Sequence, residues 1–582
     1  MAKQTAVKKT KIKGQENFDK VMKRFNRSNT YVKDKYRDDW SDYTKLYYNE
    51  RVNAGYAGNS EIFMPETFTI VQAVKAHVLG DDPKVKFMPT RADQKADTNV
   101  LNQMLDFIWT QDSMGLKAGL AIEDMLTIGN AYLFSFWGPD GYPTTRYVHA
   151  QDAFFDIANG LYQDQRFCGY RYITSKKDLE DEMIMDPETG EMVKRYKNLE
   201  WVESASAEQQ DKTAKAEKEE MFLGAQFKDE DTVEVIVYID KERMVSIANR
   251  SVVIEDIETP FKRDATTIQS VDDMGNQVPV EIPAIKPFLP YAPIRNYVDG
   301  NLFYARGDIQ IIADLQERLN DVSTQKFDNL TYILDRMYTL DPAYADRVDE
   351  IQNMPGAVFT IPKGALEEIT TTPIGNDADK EKEDIKDAMR RATAADELVQ
   401  GGGQDQGMLT ATEVRAQISQ SGTRFKLKLR QLEEEGLKIW AGNIFKLIQI
   451  NVNQEIMVRT IGPEGVEWQN YNPGEYLGEY EPKVMLEAHA AAVSEERKQE
   501  AMQFHLMASQ QPWVDQQKLF VETAKAVFNK NENEVKGLLV QQQPLMDPAT
   551  GEMVEPPMPG MPNESGQEPV NVPGMPQGPQ PK

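Results

Sequence analysis

Apolar side chains return every three or four residues near the start of the chain, which is the spacing of one face of an α-helix. Residues 15–50 show this spacing, and it resumes over 61–78 after a glycine-containing break at 55–58. Two further helical stretches follow at 93–111 and up to Gly129. The first part of the chain is therefore predicted to be mainly helical.

Between 131 and 300 the pattern changes to short β-branched and aromatic runs. The segments 131–137 (AYLFSFW) and 233–239 (VEVIVYI) are predicted strands. A turn sequence at 186–191 (DPETGE) recurs at 547–552 (DPATGE), and we interpret the pair as two uses of one turn, not as a domain repeat.

Two long helices with a small segment between them are predicted next. Helical spacing runs from 307 to 337 and is expected to end at Asp341-Pro342. Turns and alternating residues over 342–378 predict a compact lobe with strands. Residues 377–399 are helical again, and four glycines follow within 401–407.

The stretch 410–452 is predicted to form the longest helix, with charge sorted along its polar face. The candidate residues for a subunit interface are Arg424, Lys426, Lys428 and Arg430, followed by Glu433 and Glu434. Such a face can meet an oppositely charged patch on a neighbour. An ordinary solvated face with weak ion pairs remains the alternative.

The C-terminal part becomes progressively less structured in pattern. Residues 455–485 predict short strands and turns, and 486–540 predict helix. From 544 to 582 there are 11 prolines in 39 residues, a composition that cannot form a packed core.

Composition excludes several classes of protein. With 66 basic and 93 acidic residues the net charge is −27, which argues against a protein that coats nucleic acid through its whole surface. The lone cysteine, Cys168, excludes an internal disulfide framework and is expected to be a packed, inert thiol. The apolar runs are too short to cross a membrane.

Catalytic motifs are missing from the sequence. The glycines at 401–407 lack the Lys-Ser/Thr pair of a phosphate-binding loop, and there is no G-x-S-x-G motif. This favours a non-enzymatic assembly component without cofactors. The alternative is a nucleic-acid-processing enzyme with a cryptic carboxylate metal site.

Several motifs, in order and spacing, resemble the portal proteins of tailed bacteriophages, in particular those of short-tailed phages. They cover roughly residues 60–455, and an acidic insertion near 204–230 departs from the family pattern. The matching stretches are 128–137 (IGNAYLFSFW), 152–156 (DAFFD), 165–171 (QRFCGYR), 174–179 (TSKKDL), 290–293 (PYAP), 303–308 (FYARGD) and 410–415 (TATEVR).

The resemblance implies an α+β, portal-like fold. Its expected parts are an N-terminal arm and mixed wing (1–306), a stem helix (307–338), a small α/β clip (339–378), a second stem helix (379–399), a channel loop (400–409), a long helix returning to the wing (410–485), a helical crown (486–543) and a disordered proline-rich tail (544–582).

The resemblance also implies a function. Portals form homo-oligomeric rings, usually of twelve subunits, at one capsid vertex of the virion, and they are assembled in the host cytoplasm. They nucleate procapsid assembly with major capsid and scaffold proteins and conduct double-stranded DNA. They dock the terminase large subunit, which hydrolyses ATP, and later the tail or adaptor proteins. No membrane is involved.

Two sets of residues are expected to face the DNA. The channel loop contributes Gly401, Gly402, Gly403, Gln404, Asp405, Gln406 and Gly407, although an interhelical loop without a role is the alternative. On the stem, Lys326 and Arg336 are the candidate cations, although both would also fit an exposed, salt-bridged stem.

Overall fold

The computed structural model describes the chain from residue 15 to 485 with gaps, and a few residues beyond. The gaps are 53–59, 80–83, 91–97, 186–191, 203–212, 224–231, 272–276, 351–359, 376, 396–426, 453–455, 463–464, 477 and 479, and beyond 485 the described residues are 504–507, 509, 523, 545–546 and 553–554. The chain divides into two compact units, Met1–Ala491 and Ala492–Lys582. The predicted channel loop, most of the crown and most of the tail lie outside the described residues.

The first unit combines helices with antiparallel sheets, so the predicted α+β class is confirmed. Its helices are α1 (Gln15–Lys35), α2 (Arg37–Tyr47), α3 (Glu66–Val78), α4 (Thr98–Gln111), α5 (Met114–Thr127), α6 (Lys176–Asp181), α7 (Ala214–Leu223), α8 (Asp308–Leu334), α9 (Asp377–Thr393) and α10 (Lys438–Asn451). A π-helical segment, Leu432–Leu437, leads directly into α10.

The strands of the first unit form one five-stranded sheet, one three-stranded sheet and several two-stranded pairs. They are β1 (Lys84–Pro89), β2 (Asn130–Trp137), β3 (Pro143–His149), β4 (Ala153–Phe155), β5 (Phe167–Ser175), β6 (Met183–Met185), β7 (Met192–Lys194), β8 (Thr232–Asp240), β9 (Arg243–Ala248), β10 (Val252–Glu258), β11 (Thr266–Val271), β12 (Gln277–Ile282), β13 (Tyr291–Arg295), β14 (Met337–Leu340), β15 (Leu366–Ile369), β16 (Ile456–Gly462), β17 (Gly465–Tyr471) and β18 (Tyr480–Met485). The sheet orders are β10-β9-β8-β5-β4 and β13-β2-β3, and β1 pairs with β18 across almost 400 residues of sequence, Lys84 opposite Met485.

The five-stranded sheet is buried on both faces, which explains the continuous apolar run of β8. Alternate residues of a strand point to opposite faces. Ile236 and Tyr238 pack with Val21 and Phe25 of α1. Val235, Val237 and Ile239, which alternate with them along β8, pack in a second cluster with side chains of β2 and β4. Cys168 of the neighbouring strand β5 is fully buried there, and burial raises the pKa of its thiol.

A row of buried polar side chains on α8 holds an extended segment of the chain. We call Gln316, Asn320, Thr324 and Asp328 the polar stripe; they are four residues apart and therefore share one helix face. The polar stripe accepts backbone N–H bonds from residues 60–67: Ser60 N to Asp328 Oδ1 (2.9 Å), Ile62 N to Thr324 Oγ1 (3.4 Å), Met64 N to Asn320 Oδ1 (3.0 Å) and Thr67 N to Gln316 Oε1 (3.2 Å).

The spacing of the two partners explains this ladder. Two residues of extended chain advance about 6.6 Å, and four residues of α-helix advance about 6.0 Å. The amides of Ser60, Ile62 and Met64, at every second residue, therefore meet every fourth side chain of α8. The fourth amide, that of Thr67, is three residues further on and belongs to the first turn of α3. The helix acts here as a neighbouring strand would, and the rotation of α8 about its axis is set by this contact.

The predicted first stem helix, 307–338, ends earlier than expected. α8 stops at Leu334, and Met337–Leu340 instead pairs as β14 with β15, Met337 opposite Ile369. The strand hydrogen bonds to β15 replace the helical ones that the apolar spacing alone predicts. Where a second stem helix is predicted over 379–399, the structure has helix α9, which begins at Asp377 and ends at Thr393 before Ala394 in the left-handed region (φ 59°). Residues 396–399 lie outside the described part.

The repeated turn sequence is framed by paired strands at both of its positions. In the first unit Met185 of β6 lies opposite Met192 of β7. In the second unit Met546 of β19 (Leu545–Met546) lies opposite Met553 of β20 (Met553–Val554). The expectation of a wholly disordered tail is therefore wrong for these four residues, because they pair as strands. The turn residues themselves lie outside the described part of the chain.

We predict that the polar stripe is a main determinant of stability. Asn320→Leu keeps the side-chain size but leaves the amide of Met64 without an acceptor. The free energy of unfolding should fall by about 1–3 kcal/mol, measured by urea denaturation. The control is Gln310→Leu, an exposed amide on the same helix, which should change stability by less than about 0.5 kcal/mol. Equal losses in the two variants would contradict the role of the polar stripe.

Candidate functional site

Helices α8 and α9 form an antiparallel hairpin that is tipped by the β14–β15 ribbon. Arg318 of α8 pairs with Glu381 of α9 (2.8 Å), and farther along α8 the Asn329 side chain donates to the Thr372 carbonyl (3.1 Å). The order of these contacts brings the end of α8 close to the start of α9. The lobe predicted between the two helices is therefore placed at the tip of the hairpin.

The tip of the hairpin has almost no interior of its own. Among the described residues between 329 and 375, Ala365 alone is buried. Exposed apolar side chains continue from α8 onto the ribbon; they are Phe327, Leu330, Leu334, Met337, Tyr338, Ile369 and Ile374. Leu334 is 68% exposed. When exposed apolar side chains concentrate in one part of a molecule, that part is a candidate contact site.

The two stem cations expected to face DNA are both held in ion pairs within the hairpin. Lys326 bonds to Asp379, and Arg336 Nη1 lies 2.9 Å from Glu368 Oε2. Hydrogen bonds from Lys326 and then Lys382 lower the pKa of the Asp379 carboxyl. The salt-bridged alternative therefore describes both cations, and neither is an unpaired phosphate ligand in this structure.

At the base of the hairpin, the start of β2 is locked to the start of α8. The Asn130 side chain donates from Nδ2 to the Ala305 carbonyl and accepts from the Ala305 amide, both at 2.8 Å. A Cβ at Gly307 would lie 2.8 Å from the Gly129 amide nitrogen, so this backbone crossing requires glycine. Two of the motifs noted in the sequence, 128–137 and 303–308, thus meet in space.

Lys428 completes the same junction from the third helix. Its ammonium bonds to both oxygens of Asp308 (2.8 and 2.9 Å) and to the Thr393 carbonyl at the end of α9 (3.3 Å). The side chains of Lys428 and Asp308 are 7% and 1% exposed. The cation therefore ties the start of α8, the end of α9 and the helical stretch 427–451 together. Its positive charge also interacts favourably with the negative, C-terminal end of the α9 dipole.

This geometry corrects the prediction of a subunit interface on the long helix for two of its six candidate residues. Lys428 and Glu433 are buried in their own chain and are not surface residues. Arg430 and Glu434 are exposed and pair with each other one helical turn apart (3.0 Å). Arg424 and Lys426, like the channel-loop residues 401–407, lie outside the described residues.

The sequence interpretation missed the residues that hold the junction and the π-helical segment. Arg295 of β13 is fully buried and pairs with Glu435. Gly436 allows the π-helical segment to approach β13, because a Cβ there would lie 2.5 Å from Ile294 Cδ1. The four-residue period of the polar stripe was visible in the sequence, but an adjacent apolar stripe of α8 with similar spacing obscured it.

Two further features were searched for within the described ranges. None of the helices there combines the length and apolar composition needed to span a bilayer. The described residues also contain no group of three or more histidine, cysteine or acidic side chains arranged to hold a metal ion.

We predict that Lys428 is a structural residue. Lys428→Met keeps the aliphatic stem but leaves the Asp308 carboxylate buried without its cation. The free energy of unfolding should fall by about 3–5 kcal/mol in urea denaturation. Adding Asp308→Asn should restore part of the loss.

The matched control for this prediction is Lys438→Met. Lys438 pairs with Glu481 at the surface (2.5 Å), so its loss should leave the unfolding midpoint nearly unchanged. Similar unfolding midpoints for Lys428→Met and Lys438→Met would show that the buried pair contributes no more to stability than the surface pair.

Comparisons with known proteins leave the family open. No protein-family model matches this chain, and no curated protein matches it. A solved structure described as the virion of a native gene transfer agent particle aligns with a TM-score of 0.37 and 11% sequence identity, covering 83% of this chain and 93% of the other. A similarity of this size establishes neither a shared fold nor a shared function.

Proposed function

We propose that this chain is the subunit of a portal, a non-enzymatic ring at a capsid vertex that conducts double-stranded DNA. The observation that carries the proposal is the helical hairpin with an exposed apolar side and a tip without a core. The order of motifs from residue 60 to 455 adds to it. In this proposal α8 and α9 are the stem, the segment 339–378 is the clip, and the loop 400–409 faces the channel.

The exposed side of the hairpin suits assembly with identical copies. Phe327, Leu330 and Leu334 follow one another at three- and four-residue steps, so they lie along one side of α8. A ring requires that one face of a subunit meets a different face of its neighbour, with a rotation that closes. Burying this apolar side against the next subunit would supply the driving force.

The charge of the hairpin suits transient contact with DNA. Tight binding of the duplex requires free cations that replace phosphate counterions. Arg318, Lys326 and Arg336 are each paired with a carboxylate of their own hairpin. With a net charge of −27 on the chain, such a surface would let the duplex slide and would not hold it.

The partners follow from this role. The clip would dock the terminase large subunit during packaging, and ATP hydrolysis would belong to that partner. Tail or adaptor proteins would later replace it, and major capsid and scaffold proteins would surround the ring during assembly in the host cytoplasm. The finished ring would be part of the virion.

The first test of the proposal is the oligomeric state. Native mass spectrometry and negative-stain imaging of the purified chain should show closed rings with a central hole. The double variant Leu330→Asp/Leu334→Asp should shift the population to monomers, because each leucine contributes about 1.5–3 kcal/mol when buried and the new carboxylates resist burial.

The control for the assembly test is Leu161→Asp, which changes an apolar residue that is also exposed but lies outside the hairpin, and rings should persist. Monomers of the unaltered chain at every concentration, even with scaffold or capsid protein present, would refute the proposal.

The second test concerns the clip. Deleting residues 342–376 with a short glycine linker should leave rings intact, because the junction around Asp308 and the five-stranded sheet are untouched. The same deletion should abolish binding of the packaging ATPase in a pull-down and stop DNA packaging. Packaging at the normal level by the deletion variant would overturn the assignment of the clip.

A further inference from the structure

A cleft of about 1080 Å³ lies beside α10, away from the hairpin. One side of α10 forms its floor, including Ile439, Gly442, Phe445 and Gln449. The segments 471–482 and 282–286 form walls. All of these residues belong to the first unit. The proposed portal role does not use this cleft.

The lining of the cleft carries more positive than negative charge. Its cations are Arg263, Lys286, Lys438 and Lys446, and its carboxylates are Glu434 and Glu481. Glu481 is paired with Lys438 within the lining, and Glu434 is paired with Arg430 from outside it. The remaining excess of cations is notable in a chain with a net charge of −27.

Arg263 is half-buried, and its partners differ from those of the buried arginines Arg171 and Arg295. Its guanidinium donates to the backbone carbonyls of Gln449 and Pro283, and no carboxylate among the described residues lies within ion-pair distance. By contrast, buried Arg171 and Arg295 both pair with carboxylates. Burial lowers the pKa of Arg263, yet a guanidinium stays charged at any physiological pH. Its charge is therefore available to an anionic ligand.

Three buried polar atoms of the lining also lack partners among the described residues. They are Arg263 Nε and the hydroxyl oxygens of Tyr471 and Tyr480. Burial raises the pKa of both tyrosines, so both hydroxyls remain protonated donors. An unpaired buried donor costs free energy, and a small rotation toward a ligand oxygen would recover it.

Aromatic rings line the cleft next to these donors. Tyr471 and Tyr476 stack with ring centroids 4.9 Å apart and an interplanar angle of 11°. Phe445 meets Tyr480 edge-on at 5.5 Å. Such rigid aromatic walls bind apolar and aromatic side chains at low entropic cost. The cleft thus combines donors and cations for acidic groups with apolar surface for a ring.

We propose that this cleft binds an extended acidic peptide segment of a partner protein, with carboxylates near Arg263 and Lys286 and an aromatic side chain against Tyr471 and Tyr476. The volume of about 1080 Å³ is slightly above the range of about 300–1,000 Å³ for small-molecule sites, and a ligand of several peptide residues would fill it.

The test is the binding of labelled peptides to the full chain by fluorescence anisotropy. A peptide of alternating glutamate and tyrosine should bind about tenfold or more tightly than the same peptide with glutamine in place of glutamate, and its affinity should fall as salt rises. Arg263→Met should weaken binding about tenfold through loss of a charged hydrogen bond. Tyr471→Phe, which keeps the ring, should weaken it about fivefold.

A steric variant and a charge control complete the experiment. A Cβ at Gly442 would meet only Pro482 Cγ within 4 Å, at 3.9 Å, so Gly442→Leu has room on the helix and should fill part of the cleft and reduce binding. Arg318→Met removes the same charge from the hairpin and should leave binding unchanged. Unfolding midpoints of all variants show whether each one is folded.

Several outcomes would overturn the proposal. They are equal binding of the glutamate and glutamine peptides, an equal loss for Arg318→Met, tighter binding of a single-stranded oligonucleotide or a proline-rich peptide, and no binding at millimolar peptide. Because the readout is peptide affinity and not assembly, failure here leaves the ring proposal untouched, and the reverse also holds.

Discussion

Backbone amides in an extended segment need acceptors, and in this protein α8 supplies them from its side chains. The polar stripe accepts hydrogen bonds from four amides between residues 60 and 67, and another side of the helix is apolar. On an ideal helix, Phe327, Leu330 and Leu334 lie roughly 100–160° around the axis from Asp328. Holding the N-terminal segment on one side therefore presents the apolar side chains on the other. The surface available for assembly is a consequence of this internal contact.

The junction at the base of the hairpin adds a second constraint of a different kind. Asn130 binds the backbone of Ala305 from both its oxygen and its nitrogen, and Gly129 and Gly307 allow the two chains to touch. Lys428 then joins the start of α8 and the end of α9 to its own helical stretch through one buried ammonium. Removing one partner of such a buried pair is costly because the other charge stays behind. The base is therefore rigid, while the tip, which has almost no buried side chain, depends on whatever it contacts.

Charge is divided between these two regions in a way that fits a conducting ring. At the base, the buried charges of Lys428 and Asp308 bond directly to each other and hold the helices together. Three cations of the hairpin, Arg318, Lys326 and Arg336, form exposed pairs with Glu381, Asp379 and Glu368, so these three are not free to bind a phosphate backbone. The excess positive charge of the cleft beside α10 stands apart from this arrangement. Among the described residues the Arg263 guanidinium has no carboxylate partner and the hydroxyls of Tyr471 and Tyr480 have no hydrogen-bond partner, which favours a ligand that brings its own oxygen atoms.

The amino-acid sequence by itself determined the elements whose cause is local. The apolar spacing of α1, the β-branched run of β8 and the two helices of the hairpin all follow from local spacing and composition. These patterns arise from interactions between residues that are close in sequence, so the sequence alone predicts them. The motif order added a portal-like interpretation that remains a proposal.

Only the tertiary structure decided which polar residues are internal. Lys428 and Arg430 stand two positions apart on one predicted polar face, yet one is buried against Asp308 and the other is exposed. The end of α8 at Leu334 was likewise decided by the pairing of Met337–Leu340 with a strand some thirty residues later. In both cases the deciding partner is distant in sequence. The free energy of a buried charge or of a strand pair depends on that partner, and the residues on either side in the sequence do not indicate which partner it is.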